Sequence, residues 1–174
     1  MKEQAKFTVF RTKWGYFALA GTEAAGISAA VLPTKHKKEA EKQIRKRTDT
    51  RIADESPFSV LKRRILDYFE GKRADFSDVP VDLHSLSRFE QKVLSTARKI
   101  KFGQTISYCE LAEWAGHPRA ARAVGNALSK NPVPLIIPCH RIIRSDGTPG
   151  KFSSGSKLKK KLIEHEKKIV SFGK

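Results

Sequence analysis

The chain has 174 residues, 35 Lys+Arg against 18 Asp+Glu, a formal net charge of +17 and a pI near 10.1. At roughly 150 residues per domain this length holds one domain or two small lobes sharing a core. An apolar content of 39% excludes wholesale disorder, even with 30% charged residues. No apolar run approaches the roughly 20 residues of a membrane span, and residues 1–6 are polar with no signal-peptide core. Two cysteines, Cys109 and Cys139, make neither a disulfide framework nor a thiolate zinc site, so a reducing, intracellular setting is expected.

In chain order, residues 6–10 and 16–20 read as strands flanking Trp14-Gly15, and 26–32 as a third strand after the turn-like Gly21-Thr22-Glu23. Residues 35–47 carry seven basic and two acidic residues with few apolar positions, the pattern of a solvated helix or loop. Ser56-Pro57 then caps a helix on which Phe58, Leu61, Ile65 and Phe69 recur at helical spacing before Gly71. That helix faces a core. Residues 74–86, with Pro80 and several Asp, read as an extended linker. The expected division is therefore an N-terminal α/β lobe, 1–82, and a C-terminal domain, 83–174.

Beyond the linker the chain turns to short helices. Ser87-Arg88-Phe89-Glu90 and Ser107-Tyr108-Cys109-Glu110 both fit the S-x-x-E capping box. The first opens a helix bearing Phe89, Val93, Ala97 and Ile100. The second opens one through Trp114 that Gly116-His117-Pro118 breaks. A third helix is expected from Arg119 to about Lys130. Short helix, Gly-containing turn and second helix is the plan of a helix-turn-helix, although helical hairpins in enzymes share it. Residues 98–163 hold 13 basic and 3 acidic residues, so about a third of the chain carries +10 of the +17. Such a concentration attracts polyanions, of which nucleic acid is the commonest in a cell.

The third helix is built of small residues, Ala120, Ala121, Ala123, Gly125 and Ala127, with Arg119 and Arg122 among them. It could approach another surface closely and push a guanidinium into a groove, or it could pack inside the protein with its arginines in solvent. Three prolines in residues 132–138 prevent regular helix and imply a rigid, extended chain. That chain delivers Cys139 beside His140 and Arg141. A thiol reacts as thiolate, which neighbouring imidazole and positive charge favour. On a straight strand adjacent side chains point apart, so His140 could serve Cys139 only at a bend or through a water.

Asn131-Pro132, the Ile-Pro-Cys-His-Arg run 137–141, Arg119-Ala-Ala-Arg-Ala-Val-Gly125, Ile106-Ser107-Tyr108 and Phe152-Ser153-Ser154-Gly155 resemble the O6-alkylguanine-DNA alkyltransferases. These are also called methylated-DNA–protein-cysteine methyltransferases. The resemblance covers about residues 89–168, and the first 80 or so residues match only in plan. It implies an α+β fold: a small strand-rich lobe with a helix, then a mainly helical lobe holding the helix-turn-helix. It implies Cys139 as both catalyst and acceptor of an alkyl group from O6 of guanine, with O4 of thymine a candidate second substrate. His140 would draw the thiol proton through a water, Glu166 would orient His140, and Asn131 would tie the turn to this network. Tyr108 would assist phosphate rotation and donate a proton to guanine N3. Arg122 would fill the gap left by the flipped nucleotide, with Ala121, Ala123 and Gly125 permitting close approach to the minor groove. Tyr108, Ile142, Phe152 and Ser153 would line the alkylguanine pocket. Arg119, Lys130, Arg141 and Arg144 are expected phosphate contacts, from charge and position alone.

No cofactor is expected. No metal is expected either, because the N-terminal lobe has no cysteine and His36 with His84 makes a poor site. Cys109 is expected to pack inward, Phe152 lacks a hydroxyl often found at its position, and His117 and His165 read as a turn residue and a packed helix residue. The expected partner is duplex DNA containing O6-alkylguanine, with no membrane, and the expected state is a monomer, cytoplasmic in a prokaryote or nuclear in a eukaryote. Two other readings use the same helices without chemistry: a helix-turn-helix regulator, and an alkyltransferase-like lesion binder that lacks the cysteine. Neither needs the nucleophile present here.

Overall fold

The computed structural model describes residues 3–173. They fall into two compact units, Met1–Leu83 and His84–Lys174.

The first unit is built on a four-stranded sheet. Strands β1 (Lys6–Thr12), β2 (Gly15–Thr22) and β3 (Gly26–Thr34) form an antiparallel meander, and the short β4 (Ile52–Ala53) pairs parallel with β1, giving the order β3-β2-β1-β4. The strands alternate, so each face of the sheet has its own cover. On one face Phe7, Ala18, Ala20, Ala29 and Val31 meet Ala40 and Ile44 of helix α1 (Lys37–Thr48). The charged stretch after β3 is thus a helix, held by two apolar residues four positions apart on its underside. On the other face Phe10 stacks on Phe17 at 5.7 Å, and Phe17 meets Phe69 of helix α2 (Ser59–Phe69) at 6.1 Å. A 3-10 turn, Ser56–Phe58, leads into α2.

Residues 74–86 are not a loose tether. Ala74, Phe76, Val79 and Leu83 are buried, Phe76 lies 6.2 Å from Tyr68, the Ile27 amide donates to the Pro80 carbonyl and the Asp82 amide to the Ile27 carbonyl, both at 2.9 Å. The apolar residues spaced through this segment outweigh the extended reading drawn from its Asp and Pro content.

The second unit is mainly helical: α3 (Arg88–Ala97), α4 (Tyr108–Trp114), α5 (Ala121–Ser129) and α6 (Ser156–Phe172). Both capping boxes form in full. Ser87 and Ser107 accept from the Glu90 and Glu110 amides, and each glutamate returns a bond to the serine amide. Helix α5 starts two residues later than the composition predicts, because Arg119 takes a left-handed φ of 75° after Pro118 and Ala120 is not yet helical. Helices α4 and α5 with the turn between them form the helix-turn-helix. Beneath it β5 (Ile106–Ser107) pairs parallel with β6 (Ile142–Ile143), Ile106 opposite Ile142. This two-residue ladder sets the first residue of α4, Tyr108, beside the turn at Cys139. No helix of the described residues is long and apolar enough to cross a membrane.

Candidate active site

The segment before Cys139 is a compact turn, not an extended strand. Leu135 adopts a left-handed φ of 76°, Ile137 donates its amide to the Val133 carbonyl at 3.0 Å, and Pro134 bridges Ile137. Prolines fix φ but leave the residue between them to close the bend. Asn131 clamps this turn. Its Nδ2 donates to the Ile137 carbonyl at 3.0 Å, and its Oδ1 accepts from the Val133 amide at 3.0 Å. The side chain also lies close enough to the Cys139 thiol to favour its ionised form.

Cys139–Arg141 form a single 3-10 turn, the bend that lets neighbouring side chains serve one site. Three residues of α6, Lys159, Leu162 and Glu166, turn inward against it. His140 is fully buried, and its Nε2 meets Glu166 Oε1 at 2.7 Å. A carboxylate can only accept, so the proton is on Nε2 and Nδ1 carries the lone pair. Among the described residues no group bonds Nδ1. Burial pushes the imidazole below its ordinary range against the attraction of Glu166, so His140 is neutral and basic at Nδ1.

Glu166 also accepts from Arg141 Nε at 2.9 Å, Arg141 Nη2 at 3.1 Å and the Gly103 amide at 2.9 Å. Burial alone would raise its carboxyl, but His140 and the two-pronged Arg141 outweigh that and hold it far below the carboxylate range. With His140 neutral, the guanidinium is the charge that keeps Glu166 ionised. Arg141 is therefore not a phosphate contact. It is buried, its Nη1 donates to the Ile100 carbonyl at 2.7 Å, and it covers the Phe102 ring at 5.5 Å. The expectation from charge fails here because every donor faces inward.

Cys139 is 5% exposed and opens on a cleft of about 1320 Å³. Burial raises the thiol, opposed in smaller measure by the Asn131 side chain and the Lys159 charge. The neighbouring positive charge thus falls short of producing a standing thiolate. Tyr108, Ala121, Arg122, Gly125, Arg144, Phe152 and Ser153 all line the same cleft. Ile142 is buried and is not among the residues that line it. Arg119 and Ala123 are exposed on the helix-turn-helix outside the lining, and Lys130 is bonded to Glu90 at the end of α5. Cys109 is exposed at the second position of α4, contrary to the inward packing expected, because the buried side of that helix belongs to Leu111 and Ala112. His117 packs edge-on against Phe89 at 5.0 Å. Among the described residues no three His, Cys, Asp or Glu are grouped to hold a metal.

One residue escaped the sequence reading. Lys159 is 1% exposed, and its Nζ donates to Tyr108 Oη at 3.2 Å. It lies over the Tyr108 ring at 5.3 Å and the Phe152 ring at 5.8 Å. Burial lowers it to about 8, with Cys139 pulling slightly the other way. Its signal was present as spacing: Lys159, Leu162 and Glu166 share one face of a helix whose other lysines point outward.

A thiol next to a His–carboxylate pair, opening on a basic helix-turn-helix cleft, is the arrangement of a cysteine-dependent transferase that meets a polyanion. Residues 88–168 match the family model described as the DNA-binding domain of 6-O-methylguanine DNA methyltransferase, and residues 5–83 match its ribonuclease-like domain. The methylated-DNA–protein-cysteine methyltransferase of Metallosphaera sedula is 42% identical over 119 residues, 68% of this chain and 74% of that protein. Its counterpart in Sulfolobus acidocaldarius is 46% identical over 115 residues, 66% and 71% of the two chains. The crystal structure of Mycobacterium tuberculosis OGT in complex with DNA superposes with a TM-score of 0.78 at 30% identity, covering 94% of each chain. The chain belongs to the methylated-DNA–protein-cysteine methyltransferase family.

Proposed function

We propose that this protein repairs duplex DNA by moving an alkyl group from O6 of guanine to Cys139 Sγ, once per molecule. The observation that carries the reading is Cys139 opening on a cleft that Arg122 also lines, with the adjacent His140 paired to Glu166 in the interior behind it. An O6-alkyl group is out of reach inside a duplex, so the nucleotide must leave the stack. Arg122, exposed on α5 among small residues, fills the gap, and the base enters between Tyr108 and Phe152.

The thiol proton passes through a water to His140 Nδ1, whose lone pair no donor among the described residues occupies. Sγ attacks the alkyl carbon, the S–C bond forms, and the C–O6 bond breaks with its electron pair staying on guanine. Tyr108 gives a proton to N3, so guanine leaves neutral. Burial keeps the Tyr108 hydroxyl protonated until then, and the Lys159 ammonium at 3.2 Å stabilises the phenolate that develops. Glu166, kept ionised by Arg141, balances the imidazolium. The product is a thioether with no route back to thiol, hence one turnover.

On this reading the protein works as a monomer wherever the genome is, the cytoplasm of a prokaryote or the nucleus of a eukaryote. The test is intact-protein mass after incubation with duplex DNA containing O6-methylguanine, beside Cys139→Ala. The expected result is one added methyl per protein, mapped to Cys139 and absent from the variant. Tight lesion binding with no mass gain would instead make the chain a lesion binder, and a methyl on Cys109 would move the nucleophile.

A further inference from the structure

The repair site leaves the most basic element of the first unit unused. Helix α1 turns Ala40 and Ile44 inward, and the rest of its surface is charged. Two of its cations are occupied: Arg45 pairs with Glu41 at 3.1 Å, and Arg47 donates to the Ala30 carbonyl at 2.6 Å. Lys35, Lys37, Lys38, Lys42 and Lys46 are exposed, and none has an ion pair among the described residues. Lys38, Lys42 and Lys46 recur every four residues, one row with a rise of about 6 Å per step.

Two features mark this row as a ligand surface. Lys37 and Lys38 sit in the first turn of α1, where the helix dipole already places positive charge and where no side chain caps the amides. Glu39 in the same turn offsets one of these charges, and the other works against the helix dipole until a further anion meets it. The exposed face also has no aromatic or apolar side chain. Without aromatics it offers no stacking platform for single strands, and without apolar residues nothing to insert into a lipid surface. What remains is a row of point charges, which suits the regular phosphates of a duplex.

We propose that the outer face of α1 is a second binding surface for the duplex DNA backbone, separate from the catalytic cleft. It reads no sequence. It raises the time the protein spends on undamaged DNA while lesions are sought. The choice of duplex DNA as partner rests on the repair reading above.

The test uses the full chain with Lys38→Gln, Lys42→Gln and Lys46→Gln combined, since Gln keeps helix propensity. Affinity for an undamaged duplex several turns long is measured against salt concentration. Each lost phosphate contact lowers the slope of log K against log salt by about 0.9, so the triple variant is expected to lose about 2 to 3. A control, Lys13→Gln, Lys72→Gln and Arg73→Gln, removes the same charge elsewhere on this unit and is expected to leave the slope alone. Methyl transfer from free O6-methylguanine base, which carries no phosphate, reports the cleft and is expected to be equal in all three proteins. An unchanged slope in the α1 variant, or an equal drop in the control, overturns the proposal. So does a loss confined to anionic-lipid vesicles. Failure of transfer with the slope change intact would sink the repair reading and not the surface.

Discussion

Tyr108 is confined by a backbone as well as by Lys159. Gly150 has a left-handed φ of 74°, and a Cβ there would stand 2.8 Å from Tyr108 Oη and 3.1 Å from its ring. Gly147 shares the left-handed φ, 85°, with nothing within 4 Å. Alanine costs about 1 to 2 kcal/mol of backbone strain at either position, but only Gly150→Ala also displaces the tyrosine. Both variants are expected to melt lower by similar amounts, and only Gly150→Ala to slow transfer, by about tenfold for ~1.4 kcal/mol of lost alignment. Equal transfer rates in the two would remove Tyr108 from the chemistry. Lys159 gives a prediction in pH. Its native value of about 8 lies below the ordinary 10.5, so between those values the unfolded chain binds more protons and stability rises with pH. The cost of burying the ammonium, about 3 kcal/mol for a depression of that size, is present below pH 8 and relieved above it. Lys159→Met is therefore expected to be more stable than the parent at pH 7 and to lose that advantage towards pH 10.5 in denaturant titrations. Its transfer rate is expected to be low at every pH, whereas the parent's falls as pH passes 8. A gap in stability that does not change with pH would mean the lysine is not buried as a charge.

At the level of elements, the two capping boxes allow one motif to be tested with and without a function attached. Ser87→Ala and Ser107→Ala each remove one serine-to-amide bond, worth about 1 kcal/mol, and comparable drops in melting temperature are expected. Helix α4 starts on Tyr108, so fraying its first turn also loosens a group in the cleft, while α3 brings no side chain to the lining. Slower transfer is expected for Ser107→Ala alone, measured on the same duplex. The boxes were legible in sequence because capping is a contact over three residues, and Pro-Cys-His-Arg was legible because it is contiguous. Helix α1 was ambiguous because two apolar residues among thirteen make a weak stripe. The spacing put Lys159 on one face of α6 with Leu162 and Glu166, but what that face and Arg141 meet was not legible. Both depend on which face of α6 lands on the turn at Cys139, contacts between residues 20 to 26 apart that no local pattern encodes. Charge suggested that Arg141 reaches DNA, but a guanidinium can cancel a buried carboxylate as readily as a phosphate. The turn at Leu135 was misread for a related reason: prolines restrict a chain without saying which way the residue between them bends.

For the whole molecule the dominant fact is the net charge of +17 on 174 residues. Like charges on a compact body repel, and unfolding spreads them apart, so self-repulsion lowers the stability of the free protein. Of its cations, Arg141 is satisfied internally by Glu166, and the pairs at Lys6–Asp54, Arg64–Asp78 and Lys62–Glu55 neutralise a few more. Lys159 is buried, and most of the remainder face solvent at a Debye length of about 10 Å near 0.1 M salt, shrinking as salt is added. Screening should therefore act on stability and on function with opposite signs. Between about 50 and 200 mM salt the melting temperature is expected to rise by roughly 2 to 4 °C, about 1 kcal/mol for a chain of this size, while affinity for undamaged duplex falls by orders of magnitude. Scanning fluorimetry and fluorescence anisotropy over one salt series read both. Transfer from free O6-methylguanine base involves no phosphate and should be nearly flat across the series, since the thiol and its relay are buried. A melting temperature that falls with salt would mean that surface ion pairs, not repulsion, govern the stability of this fold.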